Sequence, residues 1–591
     1  MKFLHKYIRK FWLPFIFALF ILMVEATIDL LLPTLMASMI DVGVATRNLD
    51  EVIKMGSTMV LLTSVGMVAA VLRNFLSSYV SQSFGTELRL DLFRKIQSFA
   101  FQTIDKFDRA SLMVRLTNDV TQIQMFANGL MRIFVRAPLL CIGALIMAVR
   151  LNLHLSIVLA VVVPLIAILL ILNMKLGFPR FINVQKAMDR VNGVMREYLS
   201  GVRVVKAFNQ FQFEVNRFQH ANGNLVEAAI SSNRVLSVFG PMMVTVMNIG
   251  IVAVLWFGGY GVEQGHIKVG EIIAFTNYMI QILFSLRMIS MVFTMYVRAK
   301  ASAERINEVF VEDSLFESAS IPSLNGENVF HVDEESRDEK RGPKGSIEFE
   351  NVSFTYDEKR GEPVLKNITF SLRPGETVGI LGSTGSGKTS LANLIPRFYD
   401  VSEGSVKVDG KDVRDYNLKE LRNKIAIVPQ KTMLFTGTIA ENIRWGKENA
   451  TFEEIKQAAM LAEADSFISA SPEGYETKLG QGGINLSGGQ KQRISIARAL
   501  VKQPDILILD DSTSAVDMTT EAKIKASLKK YARDLTCVII SQRISSVIDA
   551  DFILVLDNGK LVGIGSHEEL LKNCQVYQDI YRSQTGKEVL L

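Results

Sequence analysis

In the run GILGSTGSGKTS, residues 379–390, two glycines five positions apart are followed at once by a lysine and a threonine. Glycines in that pattern let main-chain N–H groups curl around phosphate oxygens. The lysine reaches the outer phosphates and the threonine hydroxyl holds a divalent cation. The phosphate-contacting set is therefore Gly382, Ser383, Thr384, Gly385, Ser386, Gly387, Lys388, Thr389 and Ser390. Taking glycine as about 7% of residues, a chance match somewhere in the chain is of order a few per cent. A second run, DILILDDSTSAVD (505–517), drives four apolar residues into adjacent carboxylates, Asp510 and Asp511. A buried strand ending this way puts one carboxylate, Asp510, opposite the phosphate loop to hold Mg²⁺, usually through water. Gln430, in IAIVPQKTMLF, has the reach to contact that metal or the attacking water, giving Thr389, Gln430 and Asp510 as the metal set. Tyr356, at the end of an early strand, is placed to stack on a base or to be a plain strand aromatic.

These residues need a scaffold, and the pattern around them supplies one. SIEFENVSFTY and VLKNITFSL alternate as strands do, and the phosphate loop sits between an apolar strand and a helix. Further on, LSGGQKQRISIARAL (486–500) opens a second helix with Ser487, Gly488 and Gly489, another anion-binding helix start. Two such starts far apart in one domain make sense if the second faces a nucleotide held by another subunit.

The first half of the 591-residue chain is of another kind. Most of the 24 Met and 35 Phe lie there, in six apolar stretches at roughly 12–40, 55–83, 126–150, 154–176, 235–262 and 270–298. Each meets the length of about 20 residues that a bilayer core demands of a helix. MKFLHKYIRKFW puts five basic or His residues ahead of the first stretch, so this end lies in the cytosol. The apolar run is too long for a signal peptide and lacks its small-residue cleavage site. Six spans return the chain to the cytosol before the soluble half begins. The long inner segments, 84–125 and 177–234, are helical in pattern, each interrupted by a turn with exposed aromatics. Phe107, Asp108, Phe208 and Phe211 in those turns are read either as ordinary helix packing or as a docking surface for another domain. Glu25, Asp29 and Arg73 lie inside the spans, where a charge costs roughly 2.5–3.5 kcal/mol at the helix centre. They are either a structural ion pair or a polar patch in a translocation path. Arg132, Arg136 and Arg287 lie near a cytosolic end or line a wet cavity.

A net charge of +5 does not argue for nucleic acid, and three scattered cysteines form neither a disulfide framework nor a zinc site. Residues 313–345 are polar, charged and broken by Gly and Pro, as in a flexible linker. The domains are thus 1–312 in the membrane, the linker, and 346–591 as an α/β nucleotide-binding domain.

The whole chain resembles the ATP-binding cassette exporters, specifically half-transporters with six long membrane helices (type I) fused to one P-loop nucleotide-binding domain. The phosphate loop 382–389, Gln430, the signature Leu486, Ser487, Gly488, Gly489 and Gln490, the Walker B strand with Asp510, and the D-loop SAVD ending in Asp517 carry it. The resemblance implies head-to-tail pairing of two such domains, with two ATP molecules sandwiched between one chain's phosphate loop and the other's signature. It also implies that the inner turns are coupling helices, ATP and Mg²⁺ as ligands, a lipid bilayer, a hydrophobic small-molecule substrate and a bacterial cell membrane as the setting.

Two positions depart from the family. Asp511 stands where a catalytic Glu is usual, and Gln542 stands where the switch segment has His. One methylene shorter, the carboxylate sits about 1.5 Å back from the water, and a displacement of that scale can cost around 10²-fold. Glutamine can hydrogen-bond a γ-phosphate but carries no charge. Both changes beside intact ATP-holding residues resemble the degenerate-site subunit of heterodimeric exporters, whose partner supplies the Glu and His. A homodimer with two slow sites and a nucleotide-gated channel are the alternative expectations.

Overall fold

A computed structural model of the chain describes residues 2–312, 344–356, 361–531 and 535–585. The linker expected at 313–345 lies, over 313–343, outside the described residues. Two compact units emerge, the first from Met1–Ile96 with Arg109–Glu312, the second from Gln97–Asp108 with the remainder.

In the first unit, six helical stretches among the described residues are long and apolar enough to cross a membrane. They are Trp12–Val44, Leu49–Gln97, Arg109–Leu151, Ser156–Ala207, Phe211–Glu263 and Val269–Val311. Five of them run well beyond the apolar stretch visible in the sequence, because the polar remainder still satisfies the helical hydrogen-bond ladder once it leaves lipid, whereas the first ends only four residues later than its apolar run. The turn after Ala207 spans 208–210, with Asn209 left-handed at φ 51°, and leaves Phe208 72% and Phe211 63% exposed. Inside the bundle, helices approach closely at small residues. A Cβ on Gly250 would lie 2.7 Å from the Met279 methyl and one on Gly258 2.8 Å from Ile272. Tyr278, Phe275, Leu159 and Ile166 fill the core there. Large apolar side chains such as Phe20, Phe75 and Trp256 point outward, as lipid contact requires.

Glu25, Asp29, Arg73 and Arg136 form one connected set of ion pairs. Arg73 Nε donates to Glu25 at 2.7 Å, and both side chains are buried. Arg136, not matched with these two in the sequence reading, bridges Glu25 at 3.0 Å and Asp29 at 2.7 Å. Lower in the bundle, the fully buried Asp119 accepts from Arg305 and Ser302, a network with no hydropathy signal.

The second unit is built on a six-stranded sheet in the order Lys560–Gly565, Phe552–Asp557, Thr377–Gly382, Thr536–Ser541, Ile506–Asp510, Ile425–Val428. All neighbours are parallel except the first pair, so the interior strands are continuous apolar runs. A four-stranded antiparallel sheet carries Ile347–Phe354 between Leu365–Leu372 and Glu403–Val408. Ile347, Phe349, Val378, Ile380 and Leu391 join the two sheets and the first helix into one core.

Candidate nucleotide site

Four parallel strands end side by side, and each delivers one piece of the site from its carboxyl end, where open α/β sheets bind ligands. Thr377–Gly382 leads into the glycine loop, Ile506–Asp510 ends on Asp510, Thr536–Ser541 leads to Gln542, and Ile425–Val428 leads to Gln430. The register sets Ile540 opposite Asp510 and Ser541 opposite Leu381, so Gln542 leaves the sheet between the glycine loop and the carboxylates. A cleft of about 260 Å³ results, lined by Thr384, Gly385, Gly387, Lys388, Thr389, Ser390, Gln430, Asp510, Asp511 and Gln542 among others.

The loop takes its shape from backbone only glycine adopts freely. Gly385 and Gly387 have φ of 86° and 98°, and a Cβ on Gly382 would lie 2.3 Å from the Leu556 carbonyl oxygen. Lys388 is buried and its Nζ donates to the Gly382 and Ser383 carbonyls at 2.8 and 2.7 Å, which fixes the loop around it. Burial pulls its pKa below the usual lysine value, against the pull of Asp510 and Asp511. Burial likewise holds the Asp510 carboxyl above the usual aspartate range; the Thr389 hydrogen bond works against this and the Asp511 charge adds to it. Thr389 Oγ1 donates to Asp510 Oδ1 at 3.2 Å, so a hydroxyl and a carboxylate already face each other. Two oxygen donors beside a phosphate cradle suit Mg²⁺. That ion takes few protein ligands and completes its shell with phosphate and water.

The departing residues also sit on the cleft. Asp511 is left-handed at φ 45°, which Asp tolerates better than most, and its Oδ2 accepts from Gln430 Nε2 at 3.3 Å. Gln430 thus lies across from Asp511 rather than on the Thr389–Asp510 pair. Thr384 donates to Gln542 Oε1 at 3.4 Å, joining the switch residue to the glycine loop. The Tyr356 hydroxyl pairs with Ser390 Oγ at 2.9 Å and its ring stands edge-on to Tyr399, 5.1 Å away. It is 41% exposed, which leaves a face for a base.

The signature is not brought to this cleft. Ser487 caps the helix Gly488–Leu500 in a capping box with Gln490. Gly489 has no room for a Cβ, which would lie 2.8 Å from the Ala515 carbonyl oxygen. Gln492 ties this helix to the D-loop, accepting from Ala515 N at 3.0 Å and donating to Ser514 at 3.2 Å. Asp517 accepts from Thr520 N at 2.9 Å.

Sequence reasoning passed over two further groups. In the Gln97–Asp108 segment, Phe101 packs on Phe398 at 4.7 Å and Asp105 accepts from the Tyr399 hydroxyl at 2.7 Å, whereas Phe107 stacks on Phe99 and Asp108 is exposed. At the other end of the chain, Gln584 holds the switch segment by both ends of its amide, donating to Gln542 O at 2.6 Å and accepting from Ile544 N at 2.9 Å. The glycines, Lys388, Thr389 and the strand-end carboxylates carried a sequence signal; a glutamine near the C-terminus carried none.

A strand-end phosphate cradle in a chain with six long apolar helices defines an ATP-driven membrane transporter, and the chain belongs to the ATP-binding cassette family with the type I exporter architecture. Residues 15–286 match the model of the ABC transporter transmembrane region, and residues 365–514 the model described as ABC transporter. The chain is 41% identical over 572 residues to YfiB of Bacillus subtilis, itself an uncharacterised ABC transporter ATP-binding protein, covering 97% of this chain and 96% of that one. It is 33% identical over 517 residues to YgaD of the same organism, whose name assigns it provisionally to multidrug export, covering 87% and 86%. A bacterial Atm1-family ABC exporter solved with ATP bound superposes with a TM-score of 0.77 at 25% identity, covering 98% of this chain and 99% of that one. The protein is thus a multi-pass membrane protein with a cytosolic ATPase domain, of a family whose exporters work as dimers.

Proposed function

We propose that this chain is one half of a heterodimeric exporter of amphipathic or hydrophobic compounds, drugs or lipids, in the bacterial cell membrane. Its own ATP site holds nucleotide and turns it over poorly. The observation that carries this reading is the contrast within one cleft. Lys388, Thr389 and Asp510 keep the chemistry of nucleotide and metal binding, while Asp511 is short and Gln542 uncharged. The provisional multidrug naming of YgaD supports the substrate class.

In this account Tyr356 stacks the base, residues 382–390 hold the phosphates, and Thr389 and Asp510, with Gln430 nearby, hold Mg²⁺, which neutralises phosphate charge. Asp511 polarises water weakly because its carboxylate stops short, and Gln542 offers a hydrogen bond in place of a cation. Leu486–Gln490 and Asp517 close over the partner's nucleotide; their distance from this chain's own cleft is consistent with that task. Closure of the two ATPase domains is transmitted through the inner turns, with Phe208 and Phe211 as apolar docking side chains and Phe107 and Asp108 in the first turn. Turnover at the partner's competent site resets the cycle. Residues 1–312 and 346–591 act as membrane and ATPase domains, joined by the linker.

The test is to incubate the complex with Mg-ATP, remove free nucleotide, quench in acid and count what remains. The reading requires close to one intact ATP per heterodimer, lost on Lys388→Ala. Equal amounts of ADP in both sites would sink it.

A further inference from the structure

Within the membrane unit a cavity of about 580 Å³ lies among four helices, a size typical of small-molecule sites. Its wall is apolar and polarizable, with Met36, Phe284 and Met288, but it also carries the Asp29–Arg136 pair and Gln281. Charges in such a place are costly and belong to function by default. The four charged groups of this region are not equivalent. Glu25 and Arg73 have side chains 7% and 5% exposed and pair with each other at 2.7 Å, so they are closed to a ligand. Asp29 and Arg136, at 31% and 27%, face the cavity.

The connectivity decides which charge a ligand can carry. Arg136 has two carboxylate partners, Asp29 at 2.7 Å and Glu25 at 3.0 Å, whereas its pairing with Arg136 is the single ion pair of Asp29 among the described residues. A cationic ligand that takes over Asp29 leaves Arg136 on Glu25 beside Arg73, so each fixed charge keeps a partner. An anionic ligand that draws Arg136 away leaves Asp29 without its ion pair and with a second negative charge beside it, which is unfavourable. Phe284 and the two methionines add the soft, aromatic contacts that lipophilic cations prefer. We infer that Asp29 is the docking carboxylate for lipophilic cations, with Arg136 as the group that neutralises it when no cation is bound. This narrows the substrate class of the exporter reading and rests on it.

Two probes of nearly equal size and opposite charge test the inference: tetraphenylphosphonium and tetraphenylborate. Binding is measured to the assembled dimer in lipid nanodiscs, without nucleotide, with empty nanodiscs subtracted. Saturable binding of the cation is expected, with the anion at least about tenfold weaker, as is an about tenfold or larger loss of cation affinity on Asp29→Asn, the size of one charge-assisted contact. Arg136→Gln removes the competitor and should tighten cation binding; weaker binding in this variant would count against the inference. Unaltered binding of a fluorescent ATP analogue shows that each variant is folded. Preference for the borate, an Asp29→Asn affinity within twofold of wild type, or absence of saturable phosphonium binding overturns the inference. ATP-dependent uptake into inverted vesicles judges export separately. Uptake of a neutral amphiphile without phosphonium binding removes the cation assignment alone, and phosphonium binding without any uptake removes the export reading.

Discussion

On the proposed reading, lengthening one side chain should raise turnover at this ATP site. In Asp511→Glu the carboxylate moves about 1.5 Å further from the backbone. Asp511 Oδ2 accepts from Gln430 Nε2 at 3.3 Å, and on the proposed reading its carboxylate stops short of the attacking water. If misplacement of that order costs about 10²-fold, the barrier falls by about 2.7 kcal/mol in the variant. The left-handed φ of 45° at this position suits Asp better than Glu and should lower the stability of the ATPase domain by roughly 1 kcal/mol. That strain is present before and during the reaction alike, so it lowers the melting temperature without cancelling the gain in rate. The assay is ATP hydrolysis by the complex after the partner's catalytic Glu has been changed to Gln, so that turnover at this site alone is counted. A rise of between about 10-fold and 10²-fold is expected, with a further rise on adding Gln542→His and none for Asp511→Asn. A gain below about threefold with nucleotide binding intact would refute the geometric argument.

Gln584→Ala should loosen the switch segment, because two hydrogen bonds to its main chain are lost. ATP affinity is expected to fall by about 3- to 10-fold with ADP affinity unchanged, read by competition with a fluorescent nucleotide. Gly387→Ala places a Cβ 2.7 Å from Leu365 and strains a φ of 98°, so ATP binding should be lost and the domain destabilised by about 1–3 kcal/mol, seen in thermal unfolding. Glu25→Ala strands the buried Arg73, at a stability cost of about 3–5 kcal/mol, and adding Arg73→Met should recover most of it.

The nucleotide site was legible because its constraints are local. Glycines at fixed spacing, a lysine and an apolar strand ending in carboxylates each leave a mark in the sequence that needs no knowledge of tertiary structure. The membrane helices were legible as apolar runs, but their polar continuations were not bounded, since hydropathy stops at the lipid while hydrogen bonding does not. What escaped depends on contacts remote in sequence. Arg136 meets Glu25 and Asp29 from more than a hundred residues away. Phe101 and Asp105, chosen by their packing on Phe398 and Tyr399, looked no different from Phe107 and Asp108 in the sequence. Gln584 reaches the switch segment only because the helix Gln575–Thr585 is anchored by the fully buried Tyr577.

The account stands on unequal division of labour between two ATP sites. It is tested most directly by ATP turnover of the otherwise unaltered complex after the partner's catalytic Glu is replaced by Gln. If, as proposed, the cleft bearing Asp511 and Gln542 turns ATP over poorly, hydrolysis should fall to background. Retention of half or more of the original rate would mean that this chain's site is a working catalyst.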